Sequence, residues 1–286
     1  MRNRDRKHNH MNDNAITSLP APFARALAAD EYSKGKSDYT VTQLVSPPQR
    51  TYLATQSQPV KDEYASFMAL LGTAIHSILE KYARPEKGEL AEIRNFAKVK
   101  VGNDIVTISG QMDYWADNCL YDYKATGGVQ EKAKDEHYKQ VQMNAWLAEQ
   151  NGIKCEYVGV VYFQRDWKYM QSKVDPSYPK TPIKIFVHPY DAEYAENLVQ
   201  QTVNEHHKAS LGEPRRCTLD EQWAKADTFA VKKPDAQRAR RVYDTRAEAE
   251  ENIKSGEIIE KRAGEKTFCS SFCGFAHCCS QFKAEN

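Results

Sequence analysis

The chain has no apolar run approaching the roughly 18 residues of a membrane span, which argues against a transmembrane role. It has almost no net charge: 28% of its residues are charged, yet they sum to only +1. Whole-molecule electrostatics therefore name no polyanionic partner, and any nucleic-acid footprint must be local. The basic opening Met1-Arg-Asn-Arg-Asp-Arg-Lys-His has no apolar segment behind it. It does not read as a secretory signal, and a cytoplasmic location is expected. Internal repeats and low-complexity tracts are absent, as is any histidine–serine pair in a nucleophile context.

What is present starts with cysteine. Seven thiols without a secretion signal point away from a disulfide framework and toward metal or redox chemistry. Cys119 and Cys155 lie in strand-like stretches and read as small buried hydrophobes. The other five, Cys217, Cys269, Cys273, Cys278 and Cys279, fall in the last quarter. Zinc and iron–sulfur clusters both take four thiolates, and His277 is a candidate substitute in a zinc site.

At 286 residues the chain can bury one large core, or a core and a small second unit. Residues 1–35 read as a polar, disordered tail. The segment Thr40 to Arg50, stopped by Pro47-Pro48, reads as a docking segment. Apolar residues at helical spacing (Phe67, Leu70, Leu71, Ile75, Ile78, Leu79) predict an amphipathic helix over 66–82. Antiparallel strands follow over 95–125, a helix over 131–150, strands over 157–164 and 183–187, and a helix over 191–209. This order predicts an α/β core over 36–211. After Gly212 comes an appendage, 212–286, with a basic stretch (Lys232, Lys233, Arg238, Arg240, Arg241), a capping-box helix start at Thr245-Arg-Ala-Glu248 and the cysteine-rich end.

The most informative segment is Asp113-Tyr-Trp-Ala-Asp-Asn-Cys-Leu-Tyr-Asp122, followed by Tyr123 and Lys124. Hydrophobic runs on either side of Asp117-Asn118 read as a hairpin. A symmetric loop centred there sets Trp115 against Leu120, Tyr114 against Tyr121 and Asp113 against Asp122. Directly opposed residues share a face with β-carbons roughly 4.5–5.5 Å apart, so two carboxylates there repel. A divalent cation relieves that cost, because hard cations favour carboxylate oxygens. Lys124 falls on the face of Asp122. Two carboxylates and a lysine on one face suit phosphodiester cleavage. The bland alternative is a solvated ion pair worth about 0–1 kcal/mol. Against it, Trp115, Leu120, Tyr121 and Tyr123 mark the strands as half-buried.

Two helices supply further candidates. His76 is a potential metal ligand through a neutral ring nitrogen, with Gly72 one turn before it and Glu80 one turn after; the plain alternative is a polar residue at the helix edge. Gln140 can both donate and accept, and Asn144 follows one turn on.

Taken in order, Gly72-Thr-Ala-Ile-His76, Gly110-Gln-Met-Asp113, Asp122-Tyr-Lys124 and Gln140-Val-Gln-Met-Asn144 resemble the motifs of the PD-(D/E)XK nuclease superfamily. More specifically they resemble its RecB-like exonuclease branch, with its phage and CRISPR-associated members. The resemblance covers about residues 38–210 and, through the cysteines, the C-terminal end. It implies a restriction-endonuclease-like core, a mixed central sheet flanked by helices, and Mg²⁺- or Mn²⁺-dependent DNA hydrolysis in phage or mobile-element DNA processing within a bacterial host cell. His76, Asp113, Asp122 and the Tyr123 carbonyl would hold the cation. Lys124 would position or activate the attacking water, and Gln140 would support the site. Asp122 stands where many relatives have glutamate, and Asn144 where a tyrosine often closes the glutamine motif. The resemblance also implies a [4Fe–4S] cluster on Cys269, Cys273 and Cys279, with Cys217 as the best fourth ligand and Cys278 in reserve; zinc is the alternative. The basic stretch Lys232 to Arg241 would then track phosphates. A helicase or single-strand annealing protein is a compatible partner. The rival readings are a non-catalytic DNA-binding accessory protein on the same fold, a zinc-stabilised interaction module, and RNA as the substrate.

Overall fold

The structure is a computed structural model, and it describes residues 22, 25–26, 35–60 and 63–285. Nearly all of the predicted 1–35 tail lies outside the described residues.

The chain enters through β1 (Tyr39–Thr40) and two short helices, α1 (Val41–Leu44) and α2 (Pro48–Ala54). Thr40 caps α1, its side chain accepting from the Gln43 N–H, and Pro48 starts α2, where a missing N–H costs nothing. The predicted docking segment is thus a strand and two helices, with Val41, Leu44 and Leu53 buried. Helix α3 (Glu63–Glu80) matches the predicted amphipathic helix. Its apolar face is only half-covered, and Ile78 remains 55% exposed.

Three strands form the expected antiparallel block: β2 (Leu90–Val101), β3 (Asp104–Ala116) and β4 (Cys119–Thr126). The β3–β4 turn has Asp117 and Asn118 at φ 51° and 60°. Both signs are positive, as a two-residue hairpin turn with right-handed strand twist requires, and Asp and Asn tolerate that region. Helix α4 (Asp135–Gln150), β5 (Tyr157–Gln164), the short α5 (Tyr169–Val174), β6 (Ile183–Pro189) and α6 (Ala192–Ser210) complete the core. Asp191 caps α6 by accepting from the Tyr194 N–H.

The sheet runs β1-β3-β4-β5-β6, with β2 also paired to β3. β4–β5 and β1–β3 are parallel; the other pairs are antiparallel. This is the mixed sheet flanked by helices that the sequence implied. Helices α4 and α6 cover it. Val41, Leu44, Ile108, Met143, Leu147, Val199 and Val203 form one buried cluster, and Met112, Leu120, Val141, Val158, Val160 and Tyr162 another. Buried His206 joins α6 to the entry segment. Its Nε2–H donates to the Ser46 carbonyl (3.0 Å) and its Nδ1 accepts from the Thr51 hydroxyl (2.7 Å). That neutral tautomer agrees with a pKa held down by burial.

A second sheet, β8 (Arg241–Tyr243), β7 (Thr228–Lys232) and β9 (Ile258–Arg262), carries α7 (Arg246–Asn252). Both hydrogen bonds of the Thr245–Glu248 capping box form. The chain closes with α8 (Thr267–Ser271) and α9 (Ser280–Ala284). This end packs on α2: Phe275 and Cys279 bury against Leu53, and Val60 N–H donates to the Gly274 carbonyl.

Candidate active site

The site sits where the sheet comes apart. The last β3–β4 partners are Tyr114 and Tyr121. Continued by one step, the register would oppose Asp113 to Asp122, as the hairpin reading predicts, but the ladder stops there. β4 continues beside β5, while the same edge of β3 is next taken by β1 at Ile108 and Ser109. Asp113 stands in for the missing strand: its Oδ2 accepts the Tyr123 N–H at 2.5 Å. In an extended strand a residue's N–H and C=O share an edge, so the Tyr123 carbonyl also faces this opening.

The predicted carboxylates and lysine are together and shielded. Asp113 is 9% exposed and Asp122 1%. Lys124 Nζ lies 3.0 Å from Asp122 Oδ1 and 2.8 Å from Oδ2, so one ammonium spans the carboxylate. Burial works against the charge on Lys124, but the Asp122 and Asp113 charges outweigh it and raise its pKa. Burial, and then the Asp122 charge, push Asp113 up to about 7.

His76 reaches in from α3. Its Nδ1 lies 3.0 Å from Glu92 Oε1 and 3.5 Å from Asp113 Oδ1, and its ring meets Tyr123 edge-on at 5.7 Å. Burial disfavours the imidazolium, but the Glu92 hydrogen bond and the Asp113 charge overcome it and raise the pKa. Among the described residues, His76, Glu92 and Asp113 are the one group of three or more metal-type side chains whose donor atoms all lie within 4.8 Å. An imidazole and two carboxylates are a donor set suited to Mn²⁺ or Mg²⁺, so the residues present fit a divalent cation. Glu80 is exposed, and the space around Gly72 is open.

Glu92 is absent from the sequence reading. It lies on β2 between Ala91 and Ile93, whose ladder partners Tyr114 and Met112 flank Asp113, a juxtaposition visible only once the β2–β3 alignment is known. His137 is a second addition. It is one turn before Gln140 on α4, and its Nδ1 lies 2.9 Å from the hydroxyl of buried Tyr162, which neighbours Lys124 across β4–β5. Burial and the Lys124 and Lys134 charges hold His137 down to about 3. Gln140 is half-buried on the same helix. Asn144 has a packing role: it is buried against Gly110, where an added β-carbon would meet its Oδ1 at 2.2 Å.

The four assigned cysteines converge. Cys217 lies in the loop after α6, Cys269 on α8, Cys273 just beyond it, and Cys279 at the N-cap of α9. Gln281 ties the ends together, its Oε1 accepting the Cys217 N–H and its Nε2 donating to the Cys217 carbonyl, both at 2.9 Å. Burial, then Glu221 and the neighbouring Cys269, Cys279 and Cys273, push the Cys217 thiol up to about 12. Cys278 instead turns its thiol to the Phe275 carbonyl at 3.4 Å. Cys119 and Cys155 are buried, as read from sequence.

The basic stretch is interleaved with acids. Lys232 pairs with Glu260, Arg240 holds Glu257 through two bonds of 2.6 and 2.9 Å, and Arg241 lies over the Tyr243 ring. Lys233 and Arg238 flank them.

No family model matches the chain, and no curated protein matches it. Solved structures do. SSO0001 is similar at 18% identity and a TM-score of 0.47, over 65% of this chain and 86% of that one. A phage related exonuclease from Haemophilus somnus 129PT gives 15% and 0.36, over 59% and 81%. An alkaline exonuclease from Laribacter hongkongensis gives 13% and 0.31, over 66% and 92%. These likenesses are distant; what the site can do follows from its own residues.

Proposed function

We propose that this protein is a metal-dependent deoxyribonuclease, an exonuclease of the PD-(D/E)XK type, acting in phage or mobile-element DNA processing. One observation carries the reading: Asp113 and Asp122 face an opening between separating strands, with Lys124 bonded to Asp122 and His76 over Asp113.

His76, Asp113, Asp122 and the Tyr123 carbonyl would hold Mg²⁺ or Mn²⁺. The cation would supply Lewis acidity toward a phosphodiester and lower the pKa of the attacking water. Lys124 is a fixed positive charge, not a base, because its proton is shared with Asp122. Its ammonium would stabilise the negative charge that builds on the phosphate and orient the incoming water. Gln140, on the helix that backs Lys124, would bridge water and phosphate. Lys233, Arg238 and Arg241 are the members of the basic stretch without a carboxylate partner among the described residues, and would contact backbone phosphates.

Cys217, Cys269, Cys273 and Cys279 would hold a [4Fe–4S] cluster with a structural role. Zinc on the same thiolates is the alternative. A helicase or an annealing protein would be the natural partner of such an enzyme.

The test is digestion of end-labelled linear and closed circular DNA with Mg²⁺, Mn²⁺ or EDTA, comparing the native chain with Asp122→Ala. Metal-dependent loss of linear DNA alone, abolished in the variant, is the expected result. Cutting of circles would make it an endonuclease, and binding without cleavage would leave an accessory DNA-binding protein.

A further inference from the structure

Glu92 is built like a ligand. It occupies β2 at φ 53°, a left-handed conformation that a glutamate rarely adopts. The β2–β3 ladder pairs Ala91 with Tyr114 and Ile93 with Met112, and skips Glu92 and Asp113 between them. Asp113 therefore lacks a regular ladder partner on both edges, toward Glu92 and toward Asp122. Such local strain persists where surrounding contacts over-determine it, and those contacts are visible here.

The two oxygens of the Glu92 carboxylate have different partners. Its Oε2 accepts from Gln111 Nε2 at 2.5 Å, and Gln111 is itself fixed by Arg94, whose Nη2 donates to Gln111 Oε1 at 2.7 Å. Arg94 Nη1 continues the chain to Ser109 Oγ at 3.3 Å. Oε1 is left facing the His76 Nδ1 and the Asp113 side chain. A pinned carboxylate with one oxygen turned toward an imidazole and a second buried carboxylate is the pattern of a metal ligand with its outer support. His76 Nδ1 hydrogen-bonds Glu92 Oε1 at 3.0 Å and lies 3.5 Å from Asp113 Oδ1.

We infer that Glu92 is a further protein ligand of the divalent cation held by His76 and Asp113, with Gln111 and Arg94 as its positioning residues. This rests on the nuclease reading of the same site. It adds a carboxylate from β2 to the set of His76, Asp113, Asp122 and the Tyr123 carbonyl that would hold the cation.

The experiment is Mn²⁺ binding to the full chain without DNA, by calorimetry and by the loss of the free-ion electron paramagnetic resonance signal. Glu92→Gln keeps size and the Gln111 contact but removes charge. It is expected to weaken Mn²⁺ binding by roughly tenfold or more, with Glu92→Asp intermediate and circular dichroism unchanged. A residue that only orients His76 would lose its effect once His76 is gone. Glu92→Gln is therefore repeated in a His76→Ala background, where the further loss is expected to persist. Native affinity in Glu92→Gln, or no further loss in the His76→Ala background, overturns the ligand role. If Asp113→Ala abolishes binding while Glu92→Gln does not change it, only the Glu92 inference fails. If the native chain binds no Mn²⁺, the metal-dependent nuclease reading fails with it.

Discussion

At the scale of single residues, the site sets charge against burial. Removing Lys124 would leave Asp122, 1% exposed, as a carboxylate without its cation. Lys124→Ala is expected to cost about 3 kcal/mol in chemical denaturation, and adding Asp122→Asn should recover most of that without restoring cleavage. His137 gives a pH signature. Its folded pKa, held to about 3, is far below the ordinary value near 6.5, so the folded protein resists the proton that the unfolded chain accepts. Its stability contribution is complete above about pH 6.5 and is lost as pH falls toward 3, at up to about 1.4 kcal/mol per pH unit. Unfolding measured across that window should show a shallower slope in His137→Asn. Asp113, raised to about 7, acts with the opposite sign: its contribution is present below about pH 4 and is lost as pH rises through 7.

At the scale of elements, the hairpin and its helix partners hold the site in place. The Asp117–Asn118 turn fixes the register that aligns Asp113 with Asp122, and α4 presses on β3 through Gly110. Gly110→Ala drives a methyl into Asn144 Oδ1 and is expected to cost about 2 kcal/mol, partly recovered by Asn144→Ala, in thermal unfolding. Much of this level was legible. The strand 157–164 and the helices read at 66–82, 131–150 and 191–209 are observed as Tyr157–Gln164, Glu63–Glu80, Asp135–Gln150 and Ala192–Ser210, and the capping box at Thr245 was readable from four residues. The parallel pairing of the two-residue β1 to β3 was not legible, because it depends on long-range hydrogen bonds and not on local pattern.

At the scale of the whole molecule, the C-terminal end is fastened to the core by a small apolar cluster (Leu53, Phe275, Cys279), and the Gln281–Cys217 clasp ties that end to the start of the appendage. A cluster bound by Cys217, Cys269, Cys273 and Cys279 would add four bonds within the appendage. Cys269→Ser is expected to abolish the brown iron–sulfur absorbance of anaerobically purified protein. It should also make the chain beyond residue 212 more sensitive to limited proteolysis while the core stays resistant. A colourless native protein with stoichiometric zinc would replace the cluster by a zinc site.

By itself the sequence determined what is local. Asp113, Asp122 and Lys124 are related by one tight turn and by the two-residue period of a strand, and both are readable without knowing the rest of the chain. His76 and the four cysteines came from a motif resemblance, and the fold brings each set together. The tertiary structure alone decided the rest. Glu92 reaches His76 and Asp113 because β2 aligns with β3 and because one residue takes a positive φ. His137 faces the lysine strand because of how α4 packs on the sheet. The opening at Asp113 exists because β3 and β4 leave each other for different partners. Register, helix orientation and strand divergence are set by the balance of the whole core, so no window of sequence contains them.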